Sequence, residues 1–212
     1  VIELAKKNSS KKMGDLKIKN LKFLDRGPYS LSISGGEILC LSGVSGAGKS
    51  VILRAIADLD IHEGEIFLNN INLDDFSGPE WRRRVMYVPA ESQWWRETVR
   101  EHLNELPDTE LLNQFGFDND VLDWEIGRLS SGEKQKLALL RAFLLKPEAL
   151  LLDEPTSSLD KGSVKKVEAL IDKYVKNNRA ATIWVSHDQD QINRASDSHF
   201  EIQAGGNMRQ LK

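Results

Sequence analysis

The sequence has almost no cysteine: Cys40 is the single thiol among 212 residues. An intrachain disulfide is therefore excluded, and the place of Cys40 in the apolar run EILCLSG assigns it to core packing, a pattern that fits a reducing compartment. Long hydrophobic runs are missing too. The longest candidates, LALLRAFLL and EALLLDE, fall short of the roughly 20 residues that cross a bilayer. Any connection with a membrane is thus expected to run through a partner. No leader pattern opens the chain, and VIELAKKNSSKKM reads as a flexible basic tail over residues 1–13. A dominant charge is absent, with 29 basic side chains against 32 acidic ones, so no nucleic-acid partner is expected. His62, His102 and His199 lack metal-ligand spacing and read as incidental.

What is present is an alternation of short apolar strands and amphipathic helices. LKIKNLKFL alternates apolar and polar positions, as a half-exposed strand does. EILCLSG, ALLLDEP and ATIWVSH are continuous apolar runs, each suited to a strand buried on both faces. VILRAIADL puts Ile52, Leu53, Ile56 and Leu59 on one helical stripe, and SVKKVEALIDKYVKN does the same with Val164, Val167, Leu170, Ile171 and Tyr174. GEIFLNNINL reads as an antiparallel strand or hairpin. Between 97 and 129 the pattern changes to short helical pieces broken by Pro107, Gly116 and Gly127. The expectation is an α/β fold spanning 14–212, with a mostly parallel central sheet, an antiparallel β portion and a small inserted helical subdomain at about 97–129.

Gly43-Val44-Ser45-Gly46-Ala47-Gly48-Lys49-Ser50, with Val51 next, fits G-x-x-x-x-G-K-[ST] in full, between an expected strand and an expected helix. Glycines let successive N–H groups point into one concavity, and the helix start adds its dipole. Lys49 then neutralises phosphate charge and the Ser50 hydroxyl ligates Mg²⁺. The strand ALLLD ends in Asp153 and Glu154, at the sheet edge where such folds bind ligands. Asp153 is expected to hold Mg²⁺, directly or through water, and Glu154 to polarise an attacking water.

LSSGEKQKLALLRAFL supplies the last pattern: Leu129-Ser130-Ser131-Gly132-Glu133 opening a basic-apolar helix. Phosphate loop, this signature, LLLDEPTSSLD and the histidine of TIWVSHD follow in the order found in the ATP-binding cassette (ABC) ATPases, and the chain closely resembles that family. The resemblance implies a P-loop NTPase fold, ATP and Mg²⁺ as ligands, and a head-to-tail dimer formed on ATP binding. Ser130 and Gly132 then face the γ-phosphate held by a second subunit. His187 contacts the γ-phosphate and the attacking water, and Asp160 of the D-loop communicates across the dimer. Ser130 and Glu133 also fit an ordinary capping box. The resemblance further implies a subunit at the cytoplasmic face of a membrane, driving a separate integral-membrane transporter subunit. The short chain resembles the compact export-type branch, FetA-like metal exporters among them.

Three departures from the family pattern stand out. Ser131 and Glu133 replace a glycine and a glutamine of the signature. The position of the adenine-stacking aromatic falls on Asp25, with Phe23 and Tyr29 nearby. The glutamine of the Q-loop falls on Ala90, in VPAESQWWRETV, with Glu91 or Gln93 as replacements after a loop shift. The same stretch carries Trp94 and Trp95, expected at a docking rim for the membrane partner, the alternative being that they pack inside the helical subdomain. Competing readings are a DNA-maintenance ATPase, which needs a long coiled-coil insertion, a translation factor with paired cassettes, and a poorly hydrolysing regulatory clamp, the last kept open by Ala90.

Overall fold

The computed structural model describes residues 14–203 and 206–212; the expected basic tail at 1–13 lies outside the described residues. A first, antiparallel sheet has the order β2-β1-β4-β5. Its members are β1 (Leu16–Phe23), β2 (Arg26–Ile33), β4 (Glu63–Leu68) and the short β5 (Ile71–Asn72). The alternation in LKIKNLKF places Leu16, Ile18, Leu21 and Phe23 inward, with a register shift between Ile18 and Leu21.

The second sheet has the order β10-β9-β3-β8-β7-β6. It holds β3 (Ile38–Gly43), β6 (Val85–Val88), β7 (Ala149–Asp153), β8 (Ala181–Val185), β9 (Ser198–Ile202) and β10 (Met208–Gln210). All neighbouring pairs are parallel except β9 with β10. The period of two along each buried strand serves two cores at once. Leu39, Leu41, Leu151 and Ile183 face a core shared with the antiparallel sheet and α1 (Lys49–Ile56). Cys40, Leu150, Leu152 and Trp184 face the other, built with α3 (Thr109–Phe115), α4 (Ser131–Leu144) and α5 (Lys161–Asn178). Cys40 is fully buried, and burial pushes its thiol up to about 12, as suits a packing residue.

One expectation is corrected. The helical stripe after the phosphate loop stops at Ile56: Asp58 adopts a left-handed conformation (φ 57°), and Leu59 lies beyond the helix at 43% exposure. Arg82–Arg84 close a separate helix, α2 (Gly78–Arg84), whose buried Trp81 donates its indole N–H to the Ile56 carbonyl at 2.9 Å. Residues 97–129 hold α3 and three 3₁₀ turns. Val99, Leu112, Phe115 and Val121 pack into the same core as α4, so this segment has no separate core of its own.

Candidate active site

β3 delivers the chain into the phosphate loop, where glycine is required for two different reasons. A Cβ on Gly43 (φ +142°) would stand 2.4 Å from the Ile202 carbonyl of β9. At Gly46 (φ +76°) nothing lies within 4 Å, so the constraint is the left-handed backbone alone. Gly48 begins α1 without a side-chain cap, and no acidic residue occupies the first turn. The leading amides of α1 therefore have no intrahelical acceptor and form a site for an anion. Lys49 is only 6% exposed and donates from Nζ to the carbonyls of Gly43 (2.9 Å) and Val44 (3.1 Å). Burial holds its ammonium below the ordinary value, while Glu154 and then Asp153 act in the opposite sense.

The carboxyl ends of two adjacent parallel strands complete the site. β7 and β8 pair Asp153 with Val185, so the next residues on each strand emerge side by side. Glu154 adopts a left-handed conformation (φ 47°) and donates its N–H to the Val185 carbonyl at 3.1 Å. Its Oε1 lies 2.8 Å from Nε2 of His187. A non-glycine residue at positive φ is strained by roughly 1 kcal/mol, and the strain here falls on the residue expected to act on water. Asp153 is buried and accepts a hydrogen bond from the Tyr87 hydroxyl at 3.1 Å. Tyr87 has no motif to mark it; only the pairing of β6 with β7 brings it to Asp153.

The donor set fits Mg²⁺. The Ser50 hydroxyl and the Asp153 carboxylate are hard oxygen donors, suited to a cation that takes its remaining ligands from phosphate and water. Among the described residues no group of three or more His, Cys, Asp or Glu could hold a metal by itself.

The signature residues form a capping box at the start of α4. The Ser130 hydroxyl donates to Glu133 Oε2 at 2.7 Å, the Ser130 amide donates to the same oxygen at 2.8 Å, and the Glu133 amide reaches Ser130 Oγ at 3.3 Å. These bonds hold the Glu133 carboxyl below the usual carboxylate range. Ser131 is exposed, and Gly132 touches the D-loop: a Cβ there would stand 2.9 Å from the Ser158 carbonyl. No hydrogen bond or ion pair joins these residues to the phosphate loop among the described residues. Asp160 caps α5, accepting from the amides of Gly162 (2.9 Å) and Ser163 (3.0 Å).

A buried amide that sequence reasoning missed ties these loops together. α6 (Gln189–Ala195) carries Gln191, which accepts from the Ser186 hydroxyl at 2.7 Å and donates to Thr156 Oγ1 at 2.9 Å and Glu168 Oε1 at 2.8 Å. Ser186 precedes His187 and Thr156 precedes the D-loop, so one side chain braces both. Ala90 stands two residues beyond β6, and Gln93 folds its amide toward the Glu91 carbonyl at 3.4 Å. Trp94 is half-buried against the helical core, whereas Trp95 is 67% exposed. Both rings meet the edge of His102 at 4.9 Å. That histidine is far from incidental: Nε2 accepts from the amides of Trp95 and Arg96, each at 2.9 Å, while Nδ1 donates to the Thr98 carbonyl at 2.8 Å. The neutral imidazole thus folds the loop.

A glycine-lined loop between strand and helix, a buried lysine and a strand-end carboxylate pair define a P-loop NTPase. Comparison with known proteins narrows the class. The family model described as ABC transporter matches residues 27–157. The probable iron export ATP-binding protein FetA of Escherichia coli (strain K12) is 32% identical over 194 residues, which cover 86% of this chain and 83% of that protein. The tungstate uptake system ATP-binding protein TupC of Peptoclostridium acidaminophilum is 30% identical over 193 residues, covering 83% and 86%. The structure of a bacterial Atm1-family ABC exporter with ATP bound shares the fold, with a TM-score of 0.78 at 21% identity, over 90% of this chain and 37% of that one. The chain belongs to the ABC transporter family, as an ABC ATPase domain.

Proposed function

We propose that this chain binds ATP with Mg²⁺, dimerises head-to-tail on it, and hydrolyses it to drive a separate integral-membrane transporter subunit from the cytoplasmic face of the membrane. The observation that carries the reading is the contact of Glu154 with His187 at 2.8 Å beside the buried Lys49 and Asp153. Lys49 and the leading amides of α1 hold the β- and γ-phosphates. Ser50 and Asp153 would hold Mg²⁺, which would offset the negative charge of the phosphates. Glu154 takes a proton from water as the water oxygen bonds to the γ-phosphorus, and the bond from that phosphorus to the β-γ bridging oxygen breaks to leave ADP and phosphate. His187 orients Glu154 through its Nε2 and reaches the γ-phosphate side of the site.

In the dimer, Ser130, Ser131, Gly132 and Glu133 of one subunit meet the ATP held by the other, and Asp160 lies at the junction. The Ser130 hydroxyl must then turn from the Glu133 carboxylate toward phosphate, which makes Glu133 a tuning element of dimer closure. Ala90 supplies no amide at the Q-loop position, so turnover is slower than with glutamine there. Trp94 and Trp95 mark the surface that receives the membrane subunit. Cargo and direction belong to that subunit: relatives of near-equal similarity are named for iron export and for tungstate uptake.

Glu154→Gln tests the reading. It removes the proton acceptor and keeps the shape, so steady-state hydrolysis should fall by about a hundredfold or more while ATP binding persists. Hydrolysis unchanged by the substitution would overturn the assignment of Glu154.

A further inference from the structure

A polar cavity of about 190 Å³ lies between the D-loop and the loop of His187, with Glu154, Thr156, Ser186, His187 and Gln191 on its walls. Among the described residues no side-chain hydrogen bond joins 156–160 directly to 186–188. Gln191 spans the gap. It is 4% exposed, and its side chain reaches the hydroxyls of Ser186 at 2.7 Å and Thr156 at 2.9 Å, as well as Glu168 at 2.8 Å. Thr156 belongs to the D-loop turn, since its carbonyl accepts from the Leu159 amide at 3.1 Å. Ser186 is fixed on its other side, where its Oγ accepts from the Asp188 amide at 3.1 Å.

The Gln191 amide has one workable orientation. Arg194 donates to both Glu168 oxygens, at 2.8 and 2.7 Å, and keeps that carboxyl ionised, so it offers Gln191 acceptors alone. The NH₂ group must therefore face Glu168 and Thr156, and the oxygen must face Ser186. Anchoring α6 does not account for the arrangement. The Arg194–Glu168 ion pair already ties α6 to α5, and the Asp188 carboxylate caps its first turn. An apolar side chain would fill the space without the cost of burying an amide. What the buried amide adds is a fixed distance between two hydroxyls on two loops.

We infer that Gln191 is a positioning residue for hydrolysis. Through Ser186 and Thr156 it sets the separation of the loops that carry His187 and Glu154, and with it the 2.8 Å contact between those side chains. The inference rests on the roles proposed above for Glu154 and His187 and adds the group that aligns them. A side chain one methylene shorter cannot reach both hydroxyls, because the missing bond of roughly 1.5 Å exceeds what a hydrogen bond can stretch.

The test is steady-state hydrolysis by the full chain as a function of ATP concentration, read well below each variant's thermal midpoint. Gln191→Asn should lower kcat by on the order of tenfold or more, with KM for ATP unchanged. Gln191→Glu should do the same, because it sets a second carboxylate against Glu168. Adding Glu168→Gln to Gln191→Glu again places a donor opposite an acceptor, while both hydroxyls donate to the new carboxylate, and should recover most of the lost turnover. An unaltered kcat in Gln191→Asn, with Glu154→Gln inactive, overturns the inference and leaves the catalytic pair standing. If Glu154→Gln is also unaltered, both fall. A loss in Gln191→Glu that Glu168→Gln does not restore overturns it too, since packing and not hydrogen-bond direction is then what matters. Should the Gln191 variants not fold, Ser186→Ala decides: it removes only the link to the His187 loop and should cost about fivefold in kcat, and no loss overturns the inference.

Discussion

Ala90 shows what one side chain can remove. It follows Pro89 at the end of β6 and presents a methyl group, and the polar group that β6 does aim at the reacting edge is the Tyr87 hydroxyl on Asp153. Tyr87 steadies the carboxylate proposed to hold the metal and is engaged there rather than with an attacking water. Ala90→Gln should therefore raise turnover by about tenfold, the worth of ~1.4 kcal/mol of transition-state contact, with nucleotide affinity unchanged. Unaltered turnover would mean that the loop's contribution is mechanical only. At this scale the sequence disclosed the residues whose spacing is rigid: Gly43 through Ser50, Asp153 and Glu154. It hid Tyr87, His102 and Gln191, because each acts on a partner that only the folded chain brings near. The Glu154–His187 contact joins residues far apart in sequence through the pairing of β7 with β8.

Elements inherit their precision from pinned ends. α6 is held to α5 by Glu168, which receives Arg194 Nε at 2.8 Å, Arg194 Nη2 at 2.7 Å and Gln191 Nε2 at 2.8 Å. Burial pushes the Glu168 carboxyl up, but the hydrogen bonds from Arg194 and Gln191 outweigh it and leave the group below its ordinary range. A carboxyl whose folded value is depressed stabilises the protein above its unfolded value, and that contribution is lost as pH falls through the folded value. The thermal midpoint of the protein should thus exceed that of Glu168→Gln at neutral pH. The gap should close as pH falls below the ordinary carboxylate range; a gap independent of pH would show that the ion pair contributes nothing. Strands and long helices were legible here, since buried β7 and β8 read as continuous apolar runs and α5 as an amphipathic stripe. Their boundaries were not: Leu59 satisfied the helical period, yet the chain had already turned at Asp58.

On the scale of the whole molecule, the two halves of the proposed site share no hydrogen bond or ion pair among the described residues. Phosphate loop, Asp153, Glu154 and His187 gather at the carboxyl edge of the parallel sheet, whereas Ser130 caps α4 and Gly132 touches the D-loop. Neither surface is bonded to the other within the described residues; in the proposed head-to-tail dimer a second copy would bring each surface its complement. The order of motifs made the family legible from sequence. The most direct measurement is the solution mass of Glu154→Gln by light scattering, with Mg²⁺ and either ATP or ADP. Glu154→Gln should be a dimer with ATP and a monomer with ADP, and adding Ser130→Arg should abolish the ATP dimer. A monomer that binds ATP with undiminished affinity would contradict it.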